Sequence, residues 1–178
     1  ATKGNMAACR FLSGSMPFST ANNGCTPLHA AAYDGDLEIF KVLCPRGQDI
    51  SPKNEDGDTP LHMVAQEGHV ELCKFIIKNV KEKNPRNQFG VTPLYNALEK
   101  GHTEICRLII DNSEDKNPIG VNGVTAFHHA AEHGNLYICQ LMIDNVKEGQ
   151  PMDGFGLMPL HYAALFGQFD AFELIFKN

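Results

Sequence analysis

Apolar residues recur along the chain in two kinds of short segment, each with the spacing of one helix face. In the first kind, Leu28 and Ala32 lie four residues apart, which places them on the same side of a helix. In the second kind, Ile39, Val42 and Leu43 form a similar stripe a few residues later. Glycine, proline and polar residues fill the segments between these stripes. The pattern predicts pairs of short amphipathic helices joined by turns.

The helix pairs repeat with a period of 33 residues. Ten of the 16 glycines belong to two series with this step: Gly24, Gly57, Gly90, Gly123 and Gly156, and Gly35, Gly68, Gly101, Gly134 and Gly167. Between the two series, a four-residue motif recurs as Thr26-Pro27-Leu28-His29, Thr59-Pro60-Leu61-His62, Thr92-Pro93-Leu94-Tyr95, Thr125-Ala126-Phe127-His128 and Met158-Pro159-Leu160-His161.

Each motif predicts the beginning of a helix, and each second-series glycine predicts its end. A threonine hydroxyl caps a free backbone N–H, and proline at the first helical position leaves no N–H unsatisfied. Glycine adopts the left-handed conformation that closes a helix at little cost. Met158 and Ala126 depart from the motif, so two of the five helix starts lack one of these devices.

These motifs and their period resemble the ankyrin repeat, a 33-residue unit of a β-turn and two helices. The resemblance implies an all-α solenoid of stacked helix-turn-helix units joined by β-turn or hairpin loops. It also implies that the motif histidines tie each unit to the loop of the next. We expect a partial repeat over residues 1–20, followed by repeats over residues 21–53, 54–86, 87–119, 120–152 and 153–178.

Composition and charge argue against several classes of function. Fifteen basic residues against 21 acidic residues give a net charge of −6, which argues against a nucleic-acid partner. No apolar stretch approaches the roughly 20 residues of a membrane span, and no signal peptide is visible. We expect an intracellular, cytoplasmic and monomeric module, excised from a longer array because the chain lacks an initiating Met.

The six cysteines are expected to be reduced, without a disulfide or metal site. Cys73, Cys106 and Cys139 are 33 residues apart, at one inward-facing position of the second helix, where a thiol acts as a small hydrophobe. Cys9, Cys25 and Cys44 complete the set, and no two cysteines have zinc-knuckle spacing. The absence of an Asn-x-Ser/Thr acceptor also favours an intracellular compartment.

Histidines offer a second possibility for metal binding. Two imidazoles, His129 and His133, have the i, i+4 spacing that can hold a metal beside His128. The acidic residue of the zinc-protease arrangement is not found with them, and His129 is expected to point away from His128. We therefore predict structural histidines, no metal and no cofactor. No nucleophile elbow, phosphate loop or dinucleotide fingerprint is present, so no enzymatic activity is expected.

Two loop asparagines are candidates for modification. Some members of the family that the chain resembles carry an asparagine eight residues before the motif threonine, which oxygen-dependent hydroxylation modifies. Asn84 and Asn117 occupy this position, but Lys83 and Lys116 precede them in place of an aliphatic residue. A structural asparagine in a turn is the favoured alternative. We interpret the interleaved Lys and Glu of these loops as a solvated face.

The resemblance implies that a protein partner binds across the concave surface of the turn tips and the first helices. The positions that face this surface are acidic in the first two repeats and apolar from Phe89 onward. We expect a basic partner end over the former and an apolar anchor on the latter. The candidate residues are Tyr33, Asp34, Glu55, Asp56, Asp58, Glu67, Phe89, Val91, Val124, Phe155, Leu157 and Phe166.

Alternative interpretations stay open at this point. The apolar residues near the C-terminus either anchor a partner or face a missing repeat. The chain is either the interaction module of a scaffold or adaptor, or the ankyrin segment of a larger channel, enzyme or toxin that targets or assembles it. A third hypothesis is a modification substrate at Asn84 or Asn117.

Overall fold

The computed structural model describes residues 24–44, 49–146 and 150–178. These residues form α-helices and turns, and the only extended pairing among them is a single antiparallel bridge between Ile119 and Thr125. The all-α class is therefore confirmed. The expected partial repeat over residues 1–20, together with Cys9, lies outside the described residues.

The helices come in pairs, and the first helix of each pair begins at the predicted motif. The helices that begin within a motif are α1 (Pro27–Asp34), α3 (Pro60–Glu67), α5 (Pro93–Glu99), α7 (Ala126–Glu132) and α9 (Pro159–Leu165). The helices that complete the pairs are α2 (Leu37–Leu43), α4 (Val70–Asn79), α6 (Thr103–Asn112), α8 (Leu136–Asn145) and α10 (Phe169–Phe176). Helices also begin at Ala126 and after Met158, so neither departure from the motif prevents a helix start.

The chain divides into two compact units, one ending at Pro93 and the other beginning at Leu94. In the first unit, α1 packs on α2 and on α3, and α3 packs on α4. In the second unit, α7 packs on α8 and α9, while α8 packs on α6 and α10, and α9 packs on α10. First helices thus contact first helices within each unit, second helices pack on second helices in the second unit, and Phe40 of α2 meets Phe75 of α4 edge-on in the first.

The core of each unit is formed by the predicted stripes with one correction. Val42 was expected on the buried face of α2, but 82% of its surface is exposed, and Phe40 is buried in its place. Phe40 is 33 residues before Cys73, so it occupies the position of the phased cysteines. The position of Phe40 and the phased cysteines therefore belongs to the buried stripe of the second helix, and Val42 lies outside that stripe. The phased cysteines are fully buried, as predicted.

Glycine at the end of a first helix is required for two reasons. Gly35 has a φ of +71°, and its N–H donates to the carbonyl of Ala31, so it closes α1 in the left-handed conformation. A Cβ atom at Gly35 would also lie 2.4 Å from His69 Nδ1, on the following repeat. The glycine therefore ends one helix and leaves room for the side chain that links the next.

Candidate functional site

The loops between helix pairs end in turn tips, which we define as residues 54–58, 87–91, 120–124 and 153–157. In the first, the Asn54 Oδ1 atom accepts hydrogen bonds from the N–H groups of Asp56 at 3.0 Å and Asp58 at 2.8 Å. The Asn54 N–H donates to the Asp58 carbonyl at 2.9 Å. Asn54 itself is buried. A buried amide thus fixes the backbone of the tip while its other side chains face outward.

The same device recurs at the second and fourth tips. Asn87 Oδ1 accepts from the N–H groups of Phe89 and Val91, both at 2.9 Å. Asp153 Oδ1 accepts from those of Phe155 at 2.8 Å and Leu157 at 2.9 Å. Sequence analysis missed these three residues. Their 33-residue spacing is the signal that identifies them, because they belong to the same period as the glycines.

Asp153 carries a negative charge at this position. Burial by itself would raise its pKa, but hydrogen bonds from Leu157 N–H, the Tyr162 hydroxyl and Phe155 N–H outweigh burial, and the net pKa is lowered. The Tyr162 hydroxyl donates to Asp153 Oδ2 at 2.8 Å. Burial and this acceptor raise the pKa of Tyr162 to about 12. The fourth tip is therefore held by a carboxylate that remains ionised at neutral pH.

The third tip lacks the side-chain acceptor, since Gly120 replaces Asn or Asp. A short 3₁₀ turn over Val121–Gly123 forms the tip instead, and Asn122 adopts a positive φ of 56°. The Gly120 N–H still donates to the Val124 carbonyl at 2.6 Å. The tip thus keeps its closing backbone hydrogen bond with a different internal conformation.

A histidine of the preceding repeat holds each of three tips. Thr26 N–H donates to His29 Nδ1 at 3.1 Å, and His29 Nε2 lies 2.9 Å from the Asp58 carbonyl. Because Nδ1 accepts, the proton resides on Nε2, which donates to that carbonyl. His62 and His128 contact the carbonyls of Val91 at 3.3 Å and Leu157 at 3.0 Å in the same way. The inter-repeat role implied by the resemblance is confirmed for these three histidines.

Burial is the main influence on the protonation of these histidines. Burial lowers the pKa of His29, His62 and His128. Neighbouring carboxylates, and the carbonyls that accept hydrogen bonds from the Nε2 atoms, only partly offset this effect. His161, the motif histidine of the last repeat, is exposed, and its Nδ1 atom accepts from Met158 N–H at 3.0 Å. The neutral imidazole is therefore the form that supports the tips.

A second inter-repeat link begins at the residue before two of the second helices, α4 and α10. His69 Nε2 lies 2.8 Å from the Tyr33 carbonyl, and Gln168 Nε2 donates to the Glu132 carbonyl at 3.0 Å. His69 and Gln168 are three periods apart, as are Tyr33 and Glu132. Each link fixes the end of a first helix to the following repeat.

The twelve candidate partner-binding residues all retain solvent exposure. Glu55, Phe89, Phe155 and Phe166 are exposed, and the remaining eight are half-buried: Tyr33, Asp34, Asp56, Asp58, Glu67, Val91, Val124 and Leu157. None is lost to the core. The first unit contains the acidic members, and the second contains Val124, Phe155, Leu157 and Phe166.

The acidic side chains of the first unit are not equivalent. Asp58 Oδ1 accepts from Asn87 Nδ2 at 2.8 Å and lies 3.9 Å from His62 Nε2, so its carboxylate joins two tips. Within the described ranges, the carboxylates of Glu55 and Asp56 and that of Glu67 form no hydrogen bond or ion pair. These three charges face solvent and are available to a ligand.

The apolar side chains of the second unit share a supporting contact. Phe155 is 78% exposed on the fourth tip, and Phe166 is 54% exposed at the end of α9. The Phe166 ring stacks on Tyr162 at a centroid distance of 6.4 Å. Since the Tyr162 hydroxyl donates to Asp153 at the base of the tip, a single hydrogen-bonded tyrosine connects the two aromatic positions.

Two loop lysines do not form the solvated face that we expected. Lys83 Nζ donates to the carbonyls of Ile77 and Val80, and Lys116 Nζ donates to that of Ile110. The last carbonyls of a helix lack internal donors and attract cations, so these lysines fold back onto the ends of α4 and α6. That interpretation is therefore wrong for Lys83 and Lys116.

The two candidate modification sites have different surroundings. Asn117 Oδ1 accepts from the Phe127 N–H at 3.0 Å, at the start of α7, and Asn84 is half-buried in its loop. The Asn117 contact supports a structural role, which is the favoured alternative. Hydroxylation of either residue remains a prediction.

Comparison with known proteins shows which family these repeats resemble. A family model described as ankyrin repeats in three copies matches residues 47–120 and 112–178, and one described as many copies matches residues 17–64. A fission-yeast protein named ankyrin repeat-containing protein P1E11.10, from Schizosaccharomyces pombe, is 45% identical over 45 residues. That alignment covers 25% of this chain and 22% of the yeast protein.

These matches agree with the geometry of the helix pairs, tips and inter-repeat links. Ankyrin repeats generally mediate protein–protein interaction and are typically non-catalytic. In the described part of the chain, every helix is too short or too polar to cross a membrane. The family models together span well over half of the sequence, and the chain therefore belongs to the ankyrin repeat family.

Proposed function

We propose that the chain is a non-catalytic protein-interaction module of a scaffold or adaptor, binding its partner through the turn tips and the exposed sides of the first helices. The observation that carries the proposal is the pair Phe155 and Phe166. Both rings are exposed, yet Phe155 lies on a tip whose backbone Asp153 fixes, and the Phe166 ring stacks on Tyr162, which donates to the same carboxylate. Exposed aromatic residues on a rigid support bind at low entropic cost.

The acidic residues of the first unit favour a partner with a basic segment. Glu55, Asp56 and Glu67 face solvent, and the chain has an overall charge of −6. Such charges mainly accelerate association and set its salt dependence, whereas aromatic anchors supply more of the affinity. We propose separate contributions from the two units: steering from the acidic residues and anchoring from Phe155, Leu157 and Phe166.

The alternative function is an ankyrin segment that targets or assembles a larger channel, enzyme or toxin. The yeast relative is matched over only part of its length, so a longer parent protein is compatible with the comparison. We retain an intracellular, cytoplasmic setting, a monomeric isolated module and no nucleic-acid partner as parts of the proposal. Free cysteines and the acidic balance support them.

Site-specific crosslinking tests the anchor directly. A photoreactive residue placed at Phe155 should capture a defined protein from cell extract, and the same residue at Phe176, 70% exposed on α10, serves as the matched control. The identified partner should then bind F155S at least tenfold more weakly than the wild-type chain, and F176S with unchanged affinity. Equal binding by F155S and wild type would refute the anchor.

A further inference from the structure

Three side chains at the end of α7 converge on one point. His129, Glu132 and His133 each offer a potential ligand atom, and these atoms lie within 4.8 Å of one another. The His129 Nδ1 and Glu132 Oε2 atoms are 3.2 Å apart, so a metal bound to both would replace the proton that they share. A tetrahedral metal with bonds of about 2.0–2.2 Å holds its ligands roughly 3.3–3.6 Å apart, so side-chain rotations are needed to bring all three atoms onto one ion.

The second histidine has a tautomer that suits metal binding. His133 Nδ1 lies 2.9 Å from the His129 carbonyl, and a carbonyl can only accept, so the proton resides on Nδ1. The Nε2 atom of the neutral ring therefore has its lone pair free of a proton. Metal-binding histidines commonly donate their other N–H to a carbonyl or carboxylate in this way.

The surroundings keep the cluster in place and leave it accessible. The Glu132 carbonyl accepts from Gln168 Nε2 at 3.0 Å, and the His129 ring contacts the Tyr95 ring edge-on at a centroid distance of 4.5 Å. His133 is exposed, so an ion can enter from solvent.

We propose that His129, Glu132 and His133 form a binding site for Zn²⁺. Two imidazoles and one carboxylate match the ligand preference of zinc, whereas Mg²⁺ and Ca²⁺ require oxygen ligands. The fourth coordination position of the zinc ion remains for water or for a donor atom from a bound protein. The expectation of structural histidines was based on the missing acidic residue of the zinc-protease arrangement and on the opposite directions of His128 and His129, and it did not weigh Glu132 as a metal ligand. The proposal does not depend on the identity of a protein partner.

Calorimetric titration of the reduced, metal-free full chain with Zn²⁺ tests the site. We expect one equivalent to bind with an affinity at least tenfold weaker in H133A and in E132Q. The matched control is H161Q, which removes an exposed histidine from another first helix of the same unit and should bind Zn²⁺ as the wild type does. Mg²⁺ at equal concentration should produce no heat of binding. Circular dichroism of each variant checks that it is folded.

NMR of the histidine rings separates this site from binding at the cysteines. Zn²⁺ should shift the ring signals of His129 and His133 and leave those of His102 and His161 unchanged. Equal Zn²⁺ affinity in H133A and wild type, or ring signals of His129 and His133 that do not move at saturation, would overturn the proposal. Absence of Zn²⁺ binding would do the same.

Discussion

The acidic tip, residues 54–58, and the apolar tip, residues 153–157, have the same hydrogen-bonded backbone and opposite surface chemistry. In both, a buried Asn or Asp side chain accepts two N–H groups, and a histidine from the preceding repeat contacts the last carbonyl. The exposed positions are carboxylates in one and phenylalanine and leucine in the other. Buried groups determine the conformation of a tip, and outward positions can vary without changing it.

The two tips differ in their contacts with neighbouring tips. The Gln88 N–H donates to the Asp56 carbonyl at 3.0 Å, and Asn87 donates to the Asp58 carboxylate, so the acidic tip packs against the next one along the chain. The apolar tip makes its corresponding contact toward the preceding tip, where the Gly154 N–H donates to the Asn122 carbonyl at 2.6 Å. The comparison predicts which substitutions each tip tolerates.

The largest expected difference is between alanine substitutions of two equivalent glycines. Gly57 and Gly156 have φ values of +79° and +78°, so each substitution costs about 1–2 kcal/mol in backbone strain. A Cβ atom at Gly57 would also lie 2.9 Å from Gln88 N, whereas one at Gly156 meets nothing within 4 Å. Crowding should reduce the free energy of unfolding of G57A by a further amount of about 1–3 kcal/mol and leave that of G156A unaffected. Urea denaturation measures both, and equal losses would contradict the packing difference.

Removal of a tip's buried acceptor should have the next largest effect. N54A leaves the Asp56 and Asp58 N–H groups without their acceptor, which we expect to reduce the free energy of unfolding by about 2–4 kcal/mol. D153N retains an oxygen acceptor of the kind that Asn54 provides, so its denaturation midpoint should move less than that of N54A. A D153N variant as unstable as N54A would show that the charge, rather than the shared geometry, maintains the apolar tip.

Acidification should reduce the stability of both tips in a first step. At lower pH, a second step should reduce the stability of the apolar tip further. The pKa of His29 and His128 is lowered by burial, so the unfolded chain binds more protons below about pH 6.5. Stability is fully present above that pH and is lost as the pH falls, by up to about 1.4 kcal/mol per unit for each histidine. The net pKa of Asp153 is lowered, so its contribution is lost only below about pH 4.

Amide hydrogen exchange at Gly57 and Gly156, measured across this pH range, checks the two steps. Protection at both glycines should fall between pH 6.5 and 5. The further loss below about pH 4 should occur at Gly156 and disappear in D153N. Constant protection from pH 7 to pH 5 would contradict the histidine contribution.

The smallest effect is expected for outward charges. D56N should change the free energy of unfolding by less than about 0.5 kcal/mol, because Asp56 contributes only its backbone to the tip. D58A removes the acceptor of Asn87 and should cost about 0.5–1.5 kcal/mol. Thermal denaturation of the pair measures the difference. A larger loss for D56N than for D58A would show that the division between structural and outward carboxylates is wrong.

Most of the structure that could be predicted from the sequence follows from the repeat period. It located the helix starts, the closing glycines and the buried cysteines, because these features depend on residues close together in the chain. Val42 and Lys83 were misjudged because their surroundings come from helix geometry and loop folding rather than from the period. Glu132 was overlooked because its contact with the two histidines depends on rotamers. The candidate partner-binding positions retain solvent exposure, and their role in binding stays a prediction because partner identity depends on side chains that do not determine the fold.

The inter-repeat contacts have a consequence for how such chains change in length. His29, His62 and His128 each contact a carbonyl 29 residues ahead, and His69 and Gln168 each contact one 36 residues behind. Duplication or loss of one whole repeat preserves the spacing of these links, whereas an indel of another size within a repeat must be absorbed in a loop or break a link. Genes for this architecture can therefore grow or shrink by whole repeats, and each new junction forms with its hydrogen bonds already specified.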